Sequence, residues 1–302
     1  MMRIAHFINP VKVEEDSDFY KIQQKTFESL QIAQNYPSSD IEIDLFHVNF
    51  GEDDYIVPSG FIKLGQLRRS IGEVNPKLTT RKLPIFQDIL EEVKIIANQY
   101  DLLIYTNMDI VVLPFFYEVI QQYHLQGHDA ICVNRRRVTF NLLDDESLSN
   151  AYAELGRSHP GFDCFAFSPE LLLKFDFKEI CLGISFFEVA FVHQIAAYAK
   201  KPIWLLDKHL TIHFGLEVLV NRDNDYYRHN RFTYEQKIRP QIAPLFDLKH
   251  FPYGSFPKWR QFINWGLNPS IFLKEYIELS GKSWRKKLTE YLQEIRWRIL
   301  QR

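Results

Sequence analysis

The chain predicts an α/β fold with a mixed, partly parallel central sheet flanked by helices, followed by a C-terminal helical extension. Three observations carry that prediction. Apolar runs of strand length recur at residues 3–9, 41–48, 102–105, 129–134, 164–167 and 202–206. Segments with helical spacing of apolar residues separate several of them, an alternation that fits strands joined by crossover helices. Past residue 220 the pattern gives way to aromatic, irregular sequence that closes in one more helical stretch. The expected division is therefore one domain over residues 1–220 and a segment over 221–302 packed on it.

Each element follows from local sequence. Residues 3–9 (RIAHFIN) are apolar and closed by Pro10, a first buried strand, and Ser17 or Asp18 can cap a helix reaching Tyr36. Ile41, Ile43 and Leu45 alternate, so residues 41–48 read as a strand half-buried on the sheet. Residues 51–83 lack a clean period and read as an irregular insertion with one short helix over 61–70. Pro84 then starts a helix with Ile85, Ile89, Val93, Ile96 and Tyr100 on one face. Pro114 opens a further helix that Gly127 ends, residues 129–134 form a strand, and a helix is expected from Ser185 to Lys200. Residues 209–213 (HLTIH) read as a strand with His209 and His213 on one face.

Composition excludes several functions. With 46% apolar and 25% charged residues the chain is not disordered, and 36 Lys+Arg against 38 Asp+Glu give no global electrostatic case for nucleic acid. Cys132, Cys164 and Cys181 lack C-x-x-C spacing, which argues against a disulfide framework or a zinc ribbon. The first residues lack a signal peptide's apolar stretch, and no run approaches the roughly 20 apolar residues of a membrane span. The expectation is a cytoplasmic enzyme.

The strongest chemical signal is the segment Tyr105-Thr106-Asn107-Met108-Asp109-Ile110. A buried strand ending in side-chain oxygens places them at the carboxyl edge of a sheet, where open α/β folds bind ligands. A carboxylate there, with an amide oxygen two residues earlier, suits a hard divalent cation carrying a diphosphate. The bland alternative is a pair of turn-favouring residues.

A first strand near the N-terminus, a long helix leading into DLLIYTNMDI, and a further helix before DAICVNRR resemble the GT-A fold nucleotide-diphospho-sugar glycosyltransferases. The resemblance spans residues 3–215 and implies a single Rossmann-like GT-A domain. Members of that family hold Mn²⁺ or Mg²⁺ with a D-x-D motif. Here the motif reads Asn107-Met108-Asp109, leaving Asp109 as the direct metal ligand and Asn107 as a group contacting water or sugar. The same resemblance places Asn9 and Lys82 at the nucleotide and His213 in the metal shell. It sets Asp163, before a short strand, at an acceptor hydroxyl, and Glu188 as the base that deprotonates the acceptor. Ser185-x-x-Glu188 also matches a capping box, the structural rival to catalysis. The run Asn134-Arg135-Arg136-Arg137 reads first as a solvated face and otherwise as a phosphate or acidic-acceptor contact.

The implied activity is transfer of a sugar from a nucleotide-diphosphate donor to a glycan or lipid-linked acceptor, assisted by Mn²⁺ or Mg²⁺. A different class is a catalytically lapsed domain that binds a glycan or nucleotide as a module, which Asn107 favours. A sugar-1-phosphate nucleotidyltransferase would need a Gly-rich basic loop after the first strand, but residues 9–18 are acidic and glycine-free. Residues 281–302 carry a net charge of +5 and an apolar stripe including Trp284, Leu288, Tyr291, Leu292, Ile295 and Ile299. A helix there either lies on an anionic membrane surface or docks on its own domain.

Overall fold

The computed structural model describes residues 1–36, 40–215, 224–268, 271 and 273. In chain order the elements are β1 (Met2–Ile8), α1 (Asp18–Gln34), β2 (Ile41–Asn49), β3 (Ile62–Gln66), α2 (Ile71–Val74), α3 (Phe86–Lys94), β4 (Leu102–Thr106) and β5 (Val111–Val112). There follow α4 (Phe116–Leu125), β6 (Ala130–Val138), α5 (Ser149–Ala153), β7 (Arg157–Phe167), α6 (Pro169–Leu172), α7 (Phe187–Tyr198), β8 (Pro202–Leu205) and β9 (Thr211–Phe214). The described part of the extension holds α8 (Asp225–Thr233), α9 (Arg239–Ile242) and α10 (Lys258–Leu267).

The described strands form one mixed sheet in the order β3-β2-β1-β4-β7-β6-β9-β5, with β8 paired to β6 as well. β1 runs parallel to both β2 and β4, whereas β7 is antiparallel to β4 and β6. This is the expected mixed, helix-flanked α/β sheet, and strand–helix alternation accounts for its parallel part. Alternation along β1 builds two cores. Ile4 and Ile8 join Phe27 and Leu30 of α1 and Phe116 and Ile120 of α4 on one face. Ala5 and Phe7 join Phe86 and Ile89 of α3 and Phe187 and Phe191 of α7 on the other. α7 is buried nearly all round, consistent with its largely apolar sequence. No helix among the described residues is long and apolar enough to cross a membrane.

Several boundaries differ from expectation for physical reasons. Residues 61–70 contain β3 rather than a helix, because residues 62–66 pair with β2 at the sheet edge, where exposed side chains blur the two-residue period. The helix after Pro84 ends at Lys94, and Ala97–Gln99 is a separate 3-10 turn. β6 continues through Arg135, Arg136 and Arg137, so this charge run is strand and not a loop after it. β9 begins at Thr211, which leaves His209 outside the strand that carries His213. The segment after residue 220 is more regular than its aromatic sequence suggests: α8 passes through a π-helical turn at Tyr234–Ile238 into α9. The proposed basic helix over residues 284–301 lies outside the described residues.

Candidate active site

The sheet order creates the site. After β1 the chain adds β2 and β3 on one side, then returns to place β4 on the other, so the crevice beyond the carboxyl ends of β1 and β4 is a topological switch point. A cleft of about 860 Å³ opens there. Asn9 follows β1, Asn107 and Asp109 follow β4, Glu52 and Asp53 follow β2, and all of them line it with Arg81 and Lys82. Four residues expected at the nucleotide or metal from widely separated sequence positions, Asn9, Lys82, Asn107 and Asp109, thus share one cavity. The Asn9 amide also donates to the Val48 carbonyl at 2.7 Å, tying β1 to β2 at the cleft floor. Lys82 sits 4.1 Å above the Phe50 ring and forms an ion pair with Glu52.

A hydrogen-bond chain that runs inward from the cleft fixes Asn107. The Tyr105 hydroxyl donates to Asn107 Oδ1 at 2.9 Å, and Asn107 Nδ2 donates to Asp163 Oδ1 at 2.8 Å. Arg135 then donates to Asp163 Oδ2 at 2.6 Å, an ion pair shielded from solvent on both sides. Tyr105 is held by the aromatic core, with its ring 4.9 Å from Phe86 and 5.7 Å from Phe187. Asp163 is 6% exposed, and each of its oxygens already accepts one hydrogen bond. Its side chain orients Asn107. Burial pushes the Asp163 carboxyl up, against the pull of Arg135 and with the push of Asp109.

Asp109 and His213 meet, with His213 Nε2 3.3 Å from Asp109 Oδ2. Burial pushes the Asp109 carboxyl up, but the His213 imidazole and the Arg135 guanidinium outweigh it and hold the group below the ordinary carboxylate range. Asp109 Oδ1 and His213 Nδ1 are both buried without a hydrogen-bond partner among the described residues. An ionised carboxylate with one orphaned oxygen and an adjacent imidazole fits a hard divalent cation that takes its remaining ligands from phosphate and water. Among the described residues no three His, Cys, Asp or Glu side chains gather around a metal position, so protein ligands alone make an incomplete shell.

Glu188 is half-buried and does not cap α7. The residue at the cap position is Phe186, which has φ +75° and makes no side-chain capping bond. Capping by Ser requires an extended residue at that position, so the Ser185-x-x-Glu188 box does not form. Glu188 Oε1 instead accepts the backbone N–H of Phe162, next to Asp163. Neither Glu188 nor Asp163 lines the cleft.

Sequence reasoning missed Arg135, whose place in a charge run suggested a solvated face although Arg135 and Arg137 are 6% and 8% exposed. The available signal was the apolar stretch immediately before it, which could have extended the strand. Tyr105 read only as a strand residue, and Arg81 and Asp53 lay in a segment without periodicity.

No protein-family profile and no curated protein matches the chain. Solved structures similar to it include residues 1–349 of Staphylococcus aureus TarS in complex with UDP-GlcNAc, with 11% identity, a TM-score of 0.43, and 92% of this chain and 81% of that one covered. Mouse xyloside xylosyltransferase 1 shares 11% identity at a TM-score of 0.34 over 57% of this chain and 69% of that one. The 4-diphosphocytidyl-2C-methyl-D-erythritol synthase of Anaerococcus prevotii DSM 20548 shares 13% at 0.31 over 59% and 78%.

Proposed function

We propose that the protein is a glycosyltransferase that takes a sugar from a nucleotide-diphosphate donor in the cleft beyond β1 and β4 and passes it to a glycan or lipid-linked acceptor hydroxyl. The observation that carries this reading is Asp109, with an orphaned buried oxygen and His213 beside it, in a cleft that Arg81 and Lys82 also line. That arrangement combines a metal-binding carboxylate with cations that attract phosphate. Asp109 and His213 would hold Mn²⁺ or Mg²⁺. When bound, such an ion supplies positive charge to the leaving diphosphate.

The remaining work falls to the chain's own side chains. Arg81 and Lys82 draw the donor's phosphates in, Lys82 exchanging its exposed partner Glu52 for a phosphate oxygen. The Tyr105–Asn107–Asp163–Arg135 chain keeps Asn107 fixed, so that its position costs no reorganisation as charge develops. Glu188 takes the acceptor proton while the acceptor oxygen bonds to the anomeric carbon and the bond from that carbon to the diphosphate breaks.

Release of nucleoside diphosphate from UDP-GlcNAc, UDP-glucose and GDP-mannose, measured with and without Mn²⁺, tests the reading. Turnover of at least one donor is expected, with Asp109→Asn abolishing it. A chain that neither binds nor turns over any of them is not a glycosyltransferase of these donors.

A further inference from the structure

The extension reaches back to the cleft through α8. Two short segments there, residues 81–84 and 182–183, are lining segments and belong to no strand of the sheet. They are joined to each other by the Leu182 N–H, which donates to the Pro84 carbonyl at 2.9 Å, and by a bridge between Ile85 and Cys181. No sheet ladder sets their position relative to the floor. The N-terminus of α2 holds the first, through the Ile71 N–H to the Leu83 carbonyl at 2.9 Å and a bridge between Ser70 and Pro84, and α8 grips both.

Tyr226, 5% exposed, packs its ring with Ile71, Leu78 and Cys181. Its hydroxyl accepts the Arg81 N–H at 2.8 Å and lies 3.0 Å from the Thr80 hydroxyl. One turn later the buried Asn230 grips Cys181 twice: its Oδ1 accepts the Cys181 N–H and its Nδ2 donates to the Cys181 carbonyl, each at 2.9 Å. The same amide nitrogen is 3.2 Å from the Ser185 carbonyl oxygen. A buried amide satisfied by backbone on both sides has one low-energy position, so the turn it holds inherits that position. The bond to Tyr226 therefore anchors the backbone from which the Arg81 side chain, a lining residue of the cleft, departs.

We infer that Tyr226 and Asn230 are positioning residues for donor binding: Tyr226 fixes the backbone that carries Arg81 and Lys82, and Asn230 fixes the turn containing Gly183 beside it. The inference rests on the donor-binding reading of this cleft. It makes part of the C-terminal extension a component of the donor site without any direct contact to the donor.

Tyr226→Phe is the decisive variant, because it keeps the ring in its apolar setting and removes only the hydroxyl. Calorimetry with UDP and Mn²⁺ is expected to show affinity weakened about fivefold, the equivalent of one hydrogen bond. Donor KM should rise more than kcat falls, the melting temperature should stay close to that of the parent, and amide exchange over residues 80–83 should accelerate. Thr80→Val, which removes the second hydroxyl at the same phenol, should weaken UDP in the same direction by less. UDP affinity unchanged in Tyr226→Phe would overturn the inference and leave the function standing. Failure of the parent chain itself to bind UDP would overturn the donor-binding reading, and the inference with it.

Discussion

Asn107 occupies the place where a second carboxylate would crowd the site. Its Nδ2 donates to Asp163, and a carboxylate cannot donate, so Asn107→Asp would set an unprotonated oxygen against Asp163 Oδ1 with Asp109 two residues away. Loss of that part-buried bond is expected to cost about 1–3 kcal/mol in urea unfolding without metal, with part of the loss restored by Mn²⁺. A variant as stable as the parent would show that Asn107 is not held as described. Glu188 makes the complementary case. Glutamine at 188 can still accept the Phe162 N–H, so Glu188→Gln should leave the unfolding midpoint nearly unchanged. Turnover, however, should fall roughly 10²–10⁴-fold if the carboxylate takes the acceptor proton. Ser185→Ala is the control and should change neither quantity much, because Ser185 caps nothing in α7. Near-normal turnover in Glu188→Gln would remove Glu188 from the acceptor side.

At the scale of elements, legibility followed how strongly each segment's own sequence constrained it. β4 and the polar residues after it were readable because a fully buried strand leaves an apolar run that stops at the sheet edge. α1 was readable from Ser17, which caps it by accepting the Tyr20 N–H at 3.2 Å. β3 was not, because an exposed edge strand has little need of apolar residues. Arg135 was hidden for the opposite reason: its burial depends on Asp163 across the sheet, 28 residues away, which no local pattern records. Phe186 shows the same limit, since its left-handed backbone is sustained by packing against Tyr227 and Tyr234. Two histidines set within elements also depend on tertiary context. His6 of β1 lies between the Tyr117 and Thr106 hydroxyls at 2.8 Å each, and burial lowers its pKa from 6.5 to about 3. His193 of α7 bonds to Tyr234 and to the Ile271 carbonyl, and burial lowers it to about 4. Both are neutral when folded and take up protons when unfolded below pH 6.5. Stability is therefore expected to fall as pH drops from 7 to 5, because the unfolded chain then binds more protons than the folded one. A urea midpoint constant over that interval would contradict neutral burial of both rings.

Across the whole molecule, the site joins parts of the chain that are far apart in sequence. Asn9, Glu52, Lys82 and Asp109 line one cleft, and β9 brings His213 to Asp109 from more than 100 residues further on. A ligand that engages this set binds the native state alone, so nucleotide should raise the melting temperature. The metal contribution should depend on the nucleotide. Asp109 and His213 offer one carboxylate and one imidazole, too few ligands to hold Mn²⁺ or Mg²⁺ tightly until phosphate oxygens join them. Phosphate, in turn, gains a positive partner that Arg81 and Lys82 alone do not provide. Linkage makes this coupling reciprocal, at about 1–3 kcal/mol for sites that share ligands in this way. UDP with Mn²⁺ should therefore stabilise the protein by more than the separate effects of UDP and Mn²⁺ combined. Asp109→Asn should erase the excess while sparing the metal-free part of UDP binding, which draws on Arg81 and Lys82. If calorimetry instead gives one UDP affinity with Mn²⁺ and with chelator, the metal leaves the site, and the cations of the 81–82 segment must neutralise the diphosphate by themselves.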